Sequence, residues 1–132
     1  MRPTVQILSG IWLQASDGTL ELAATDMELS LRSSLDAEIA EPGTVVVPGR
    51  LFVEIARLLP AGDVEIAHSP EEGRVSVVSG SASYSFHTHS AEDFPRLPEV
   101  DVALTFAVPR EALLETITRV GRSASRLSLI HI

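Results

Sequence analysis

His87 and His89 are the side chains whose type and spacing best suit a reaction. Imidazoles two residues apart on a strand point the same way and can share one zinc ion. His68 or Asp93 would complete the ligand set, and the site would then serve a small metal-dependent hydrolase. The sequence supplies no His-Glu-x-x-His, no cysteine and no obvious outer shell to orient such ligands. The expectation is therefore surface histidines at a strand end, with no metal and no cofactor.

Other chemistry finds less support. Asp26 and Glu28 would share a face of a strand, where paired carboxylates can share a proton or hold a metal. No third ligand is fixed nearby, so Thr25-Asp26 is expected to cap a turn and Glu28 to face solvent. There is no Gly-x-Ser-x-Gly to raise a serine nucleophile, and Gly10, Gly18, Gly43 and Gly49 form no phosphate loop. Pro48-Gly49-Arg50 does precede a helix, whose free N–H groups could meet an anion. No catalytic role is assigned, and the expectation is a protein that is not an enzyme.

Charge narrows the binding partners. The 132 residues carry a net charge of −8, which argues against holding nucleic acid by general attraction. It leaves room for a few arginines focused on one face. All ten basic residues are arginine. Arg50 and Arg57 lie about two turns apart on the polar side of one expected helix. Arg110, Arg119, Arg122 and Arg126 gather near the other end, beside only Glu111 and Glu115. Without cysteine, disulfides are excluded. No apolar run reaches the length of a membrane span and no signal peptide is visible, so a cytoplasmic location and no membrane partner are the defaults.

The elements that must position these residues follow from periodicity and turn chemistry. Val5 to Leu13 reads as a strand, and Asp17-Gly18 turns it into a second, Leu20 to Ala24. Leu29, Leu31, Ser33 and Leu35 alternate with polar residues as in a half-buried strand. Glu41-Pro42-Gly43 leads to a short strand, Thr44 to Val47. The next segment, 50 to 59, is an amphipathic helix with Leu51, Phe52, Ile55, Leu58 and Leu59 on a broad stripe. Arg50, Glu54 and Arg57 would form a weak ion-pair ladder on its other side. Pro60 stops the helix.

Strands at Asp63 to Ala67, Arg74 to Ser79 and Ser83 to Thr88 come next, separated by Pro70-Glu71-Glu72-Gly73 and Gly80. Tyr84 and Phe86 share a face, either in the core or at an edge that pairs with another subunit. Glu92 to Pro98 is an irregular connector. Val102, Leu104, Phe106 and Val108 alternate as a strand, and Pro109 opens a helix lined by Leu113, Leu114, Ile117 and Val120. Leu127 to Ile132 is anomalous: either an edge strand or the mark of a truncated or frame-shifted reading frame. The fold class is α+β, an antiparallel sheet covered by amphipathic helices.

Several of these segments, in this order, resemble the bacterial DNA polymerase III beta subunit, the sliding clamp. The run Pro3-Thr4-Val5-Gln6-Ile7-Leu8-Ser9-Gly10-Ile11-Trp12-Leu13 is similar to the strand after that family's opening helix. Asp17-Gly18-Thr19-Leu20-Glu21-Leu22-Ala23-Ala24-Thr25-Asp26-Met27-Glu28 is its most recognisable segment. Pro42-Gly43, Val46-Val47-Pro48 and Leu51 to Pro60 fit the helix ending in Leu-Pro, and Ser79-Gly80 and Glu92 to Pro98 fit the close of the first domain. The resemblance runs from about residue 3 to about residue 125.

The resemblance implies the DNA clamp, or processivity-factor, fold. It divides the chain into a partial N-terminal clamp domain (1–100), the opening strand and helix of the central domain (101–126) and an anomalous tail (127–132). It implies a ring of two three-domain subunits around duplex DNA that tethers the polymerase without catalysis. Arg50 and Arg57 would face the DNA channel. Leu51, Ile55, Leu59, Tyr84 and Phe86 would meet the partner subunit of the homodimer. A strand and helix before Pro3, most of the second domain and all of the third have no counterpart here. Polymerase and clamp loader would therefore be received by regions outside this chain. If helix 110 to 122 takes the vacant first helix's place, Arg119 or Arg122 supplies DNA-facing charge. Two other readings stand beside this: an interaction domain of the same fold without a DNA role, and the hydrolase using His87, His89 and Asp93.

Overall fold

The computed structural model describes residues 9–97 and 101–131, with side chains as far as Ala124. Residues Pro3 to Leu8, Pro98 and Ile132, used in the sequence reading, lie outside the described set. The chain divides into two units, residues 1–98 and 99–132, and each is described by itself.

The first unit begins with an antiparallel meander. Strand β1 (Gly10–Ser16) turns through Asp17-Gly18 into β2 (Thr19–Thr25). Both turn residues have positive φ, 52° and 75°, the backbone that a two-residue hairpin between twisted strands requires. β3 (Ser30–Asp36) pairs with β2, and β4 (Gly43–Pro48) returns to the far side of β1, giving the order β3-β2-β1-β4. Helix α1 (Gly49–Leu58) follows directly. A second sheet holds β5 (Glu65–Ser69), β6 (Arg74–Ser79) and β7 (Ala82–His87) in that order, all antiparallel. The His89 N–H donates to the Val46 carbonyl at 2.9 Å, a single bridge that ties the β7 end to β4.

Alternation decides the core. Leu13 on β1 and Val45 and Val47 on β4 share one sheet face, because Leu13 lies opposite Val45 and Ile11 opposite Val47. They join Ile55 of α1, Val75 and Val77 of β6 and Phe86 of β7 in one buried cluster. Phe52 of α1 meets Phe86 edge-on, with ring centroids 6.2 Å apart. The otherwise largely aliphatic core thus holds one aromatic pair.

Several expectations are corrected. The first described strand starts at Gly10, and the strand expected over 29–35 is present but exposed along all seven residues of β3. Its alternation is real; its place at the end of the sheet leaves both faces open. The helix stripe is narrower than its sequence suggests. Phe52, Ile55 and Leu59 meet the core, whereas Leu51 and Leu58 are exposed. No ion pair joins Arg50, Glu54 and Arg57 among the described residues. The short turn Ala91–Asp93 is 3₁₀ within the expected connector.

In the second unit, residues 102–108 form no strand, although their alternation is strict. A strand needs a ladder partner for its N–H and C=O groups, and the described part of this unit contains no other strand. Helix α2 spans Arg110–His131. The segment from Leu127 is therefore helical and not an edge strand. No Pro follows Arg126 to interrupt the ladder of backbone bonds, so the helix continues. Leu113, Leu114, Ile117 and Val120 are exposed.

Candidate functional site

Helix α1 carries the arginines singled out by the sequence. Its N-terminus has no side-chain cap, since the residue before it is Pro48. The Gly49 N–H instead donates to the Ser9 carbonyl at 3.0 Å, which anchors the helix start to β1. Ile55 then sets the rotation of the helix by pointing into the core. At ~100° per residue, Arg50 and Arg57 fall close to one another and nearly opposite Ile55. Both are exposed. Seven residues at ~1.5 Å rise separate them by about 10 Å along the helix. They share this exposed side of α1 with Glu54, which lies about 40–60° around the helix from each.

The residues proposed for the subunit surface separate into two groups. Leu51 is exposed, and Leu59 and Tyr84 are partly buried against the core cluster. Ile55 and Phe86 are buried at 5% exposure and have almost no surface to offer a partner. Tyr84 and Phe86 share a face of β7, as alternation requires, and that face looks inward. β7 is an edge strand among the described residues, so its backbone is the part available for pairing.

Arg119 and Arg122 lie on α2. Arg119 pairs with Glu115 one turn earlier at 3.1 Å, both side chains being 73% exposed, and Arg122 is exposed. Such a pair holds little energy and leaves the guanidinium accessible.

The histidines are not brought together. β7 ends at His87, whose ring accepts a bond from the Arg74 guanidinium at 3.0 Å. Arg74 also donates to Ser85 Oγ at 3.0 Å. Arg74 lies directly opposite His87 in the β6–β7 register, a relationship the sequence reading missed because it is set by where the hairpin turn fixes the pairing. His89 sits beyond the strand, engaged through its backbone with Val46. Among the described residues no three His, Asp or Glu side chains converge to hold a metal ion. His68 has a lowered pKa because partial burial beside Val75 penalises its charged form.

Asp26 has a structural role. Its carboxylate accepts the backbone N–H groups of Leu29 and Glu28 at 2.7 and 2.9 Å, which lowers its pKa. Thr25 Oγ1 accepts the Met27 N–H at 3.0 Å. These bonds hold Met27 at φ 78°, a conformation a side chain resists. Glu28 faces solvent. The pair is a turn lock and not an acid–base couple.

This combination is a non-enclosed surface: two arginines on a helix over a sheet, with no cluster of metal-ligating side chains among the described residues. The family model for the DNA polymerase III beta subunit, N-terminal domain, matches residues 1–98. The beta sliding clamp of Streptomyces coelicolor is 42% identical over 125 residues, covering 95% of this chain and 32% of that protein. The beta sliding clamp of Escherichia coli K12 is 37% identical over 131 residues, covering 98% of this chain and 34% of that protein. Among solved structures, the DNA polymerase III subunit beta of Pseudomonas aeruginosa superposes with a TM-score of 0.78 at 33% identity, over 90% of this chain and 32% of that one. A DNA polymerase III beta subunit from Eubacterium rectale gives 0.78 at 30% identity, over 84% and 30%. The chain spans about a third of the length of the relatives it matches.

Proposed function

Since the chain belongs to the DNA polymerase III beta subunit family, the bacterial sliding clamps, we propose that it is a wall section of a DNA-encircling processivity factor. In this reading residues 1–100 are part of the first clamp domain and 101–126 open the second. The whole ring is a homodimer that encloses duplex DNA and tethers the replicative polymerase. It works in the cytoplasm, is no enzyme, and takes no cofactor.

The observation that carries the reading is the placement of Arg50 and Arg57 on the exposed side of α1, opposite the core-facing Ile55, in a chain whose net charge is −8. A sliding ring must stay on DNA without sticking to it. Enclosure supplies retention, so phosphate contacts need only be few and weak; base contacts would act as traps. A sparse pair of arginines on an acidic body meets both demands. If α2 takes the place of a first clamp helix, its Arg119 or Arg122 supplies DNA-facing charge as well. At the partner subunit, Leu51, Leu59 and Tyr84 supply contact, while Ile55 and Phe86 act from beneath by holding α1 against β7.

The test uses the complete gene product. After loading, it is retained on nicked circular DNA and lost once that DNA is linearised. Arg50→Glu with Arg57→Glu shortens residence on the circle and leaves the ring's mass in solution unchanged. A complete product that shows equal retention on linear and circular DNA would overturn the proposal.

A further inference from the structure

The helix that carries Arg50 and Arg57 carries one acid as well. The charged residues of α1 are Arg50, Glu54 and Arg57. Glu54 comes after Arg50 and before Arg57, ~6 Å beyond the first along the axis and ~4.5 Å short of the second. It is turned about 40° from Arg50 and about 60° from Arg57, so all three side chains leave the helix on the side away from buried Ile55. All three are exposed, and none is committed to an ion pair among the described residues.

Helix stability gives no reason for a carboxylate here. Glutamine has much the same helix propensity. Glu54 lies past the first turn, the place where a negative charge gains from the helix dipole. An arginine one turn ahead of a glutamate is also the weaker order for a helical ion pair.

The carboxylate acts instead on whatever approaches the two arginines. A phosphate held by either guanidinium comes within about 8–10 Å of it, about one Debye length at 0.1 M salt. Acids farther away in this chain of net charge −8 are screened; Glu54 is not. The carboxylate is also a tethered alternative partner, to which a long arginine side chain turns as a phosphate departs.

Resting on the reading of α1 as the helix that faces DNA, we propose that Glu54 is the release residue of the sliding surface. It touches no DNA and acts through its neighbours. It competes with phosphate for Arg50 and Arg57, lowers the effective charge of the pair, and keeps each contact short. A ring without this competitor grips the duplex and slides slowly.

The test follows the complete gene product, loaded on circular duplex DNA, by its one-dimensional diffusion along that DNA. Repulsion between unit charges about 8 Å apart in water changes an equilibrium roughly twofold, so at low salt Glu54→Gln is expected to slow a ring of two subunits about fourfold. The difference vanishes toward about 1 M salt, where the Debye length is about 3 Å. Glu54→Asp keeps the charge and slides at the unmodified rate. Glu65→Gln removes the same charge from the face of the second sheet turned away from α1, since Glu65 lies opposite Val78 while Val75 and Val77 pack with Ile55. It leaves sliding unchanged. With Arg50→Gln and Arg57→Gln already present, Glu54→Gln has no further effect. If Glu54→Gln does not assemble, Glu54→Ala is the second neutral variant. Sliding at the unmodified rate in the neutral variant at low salt, or equal slowing by Glu65→Gln, overturns the proposal and leaves the clamp reading intact. That reading fails separately if the unmodified ring is not retained on circular DNA, and this proposal falls with it.

Discussion

The backbone of Gly49 bonds the backbone of Ser9 so closely that position 49 has no room for a side chain: the N–H to carbonyl distance is 3.0 Å, and a Cβ at residue 49 would lie 2.7 Å from the same oxygen. Gly49 is the first residue of α1, and this contact fixes where the helix leaves β4. Helix propensity would favour alanine there. Tertiary contact opposes it. Gly49→Ala is expected to destabilise by about 1–3 kcal/mol, the range for forced overpacking. A urea or thermal melt measures this, and an unchanged or raised midpoint contradicts the account.

Phe86→Ala removes the ring that Phe52 meets edge-on at the centre of the core. The expected loss is about 3–5 kcal/mol. Phe86→Leu keeps most of the volume and should lose less. Equal losses for the two variants would mean that the ring's bulk is not what matters.

The Asp26 turn separates side-chain acceptance from backbone strain. Asp26→Ala strips the acceptor from the N–H groups of Glu28 and Leu29 and should lower the melting temperature. Met27→Gly releases a Cβ held at positive φ and should leave stability within about 0.5 kcal/mol of the starting chain, or above it. A melting temperature that rises in Asp26→Ala would refute the lock. Because the Asp26 pKa is lowered on folding, its contribution is present above the unfolded value of 3.8 and fades as pH falls through the folded one.

His68 has the same sign at a higher pH. Its folded pKa lies below the ordinary 6.5, so at intermediate pH the unfolded chain binds the extra proton. Stability is fully present above about 6.5 and falls as pH drops from there toward the folded value. His68→Gln should flatten that slope in urea titrations at a series of pH values. A slope of the same size in the variant would assign it to another group.

Much of the fold was legible in the chain. Asp17-Gly18 and Gly80 marked two hairpins because only a few residue types accept the backbone such turns require. Pro48 and Pro60 bracketed the helix, and Arg50 and Arg57 followed on one side of it from spacing alone. Arg74 against His87 was not read, since a cross-strand neighbour depends on register and not on distance along the chain.

The amino-acid order by itself determined local element type, turn positions and the family, because each depends on residues within a turn or two of one another or on a run of matched segments. Only the tertiary structure decided how far each apolar side chain is covered. Leu51 and Leu58 belong to the same periodic stripe as Ile55, yet they are exposed, because the core meets only the Phe52–Ile55–Leu59 side of α1. Leu31 and Leu35 alternate as well as Val45 and Val47 do, and stay open because β3 is the last strand of its sheet among the described residues. Residues 102–108 alternate too and form no strand. Periodicity specifies the face a residue occupies; burial and strand pairing also need a partner across from it, and that partner is set by the fold.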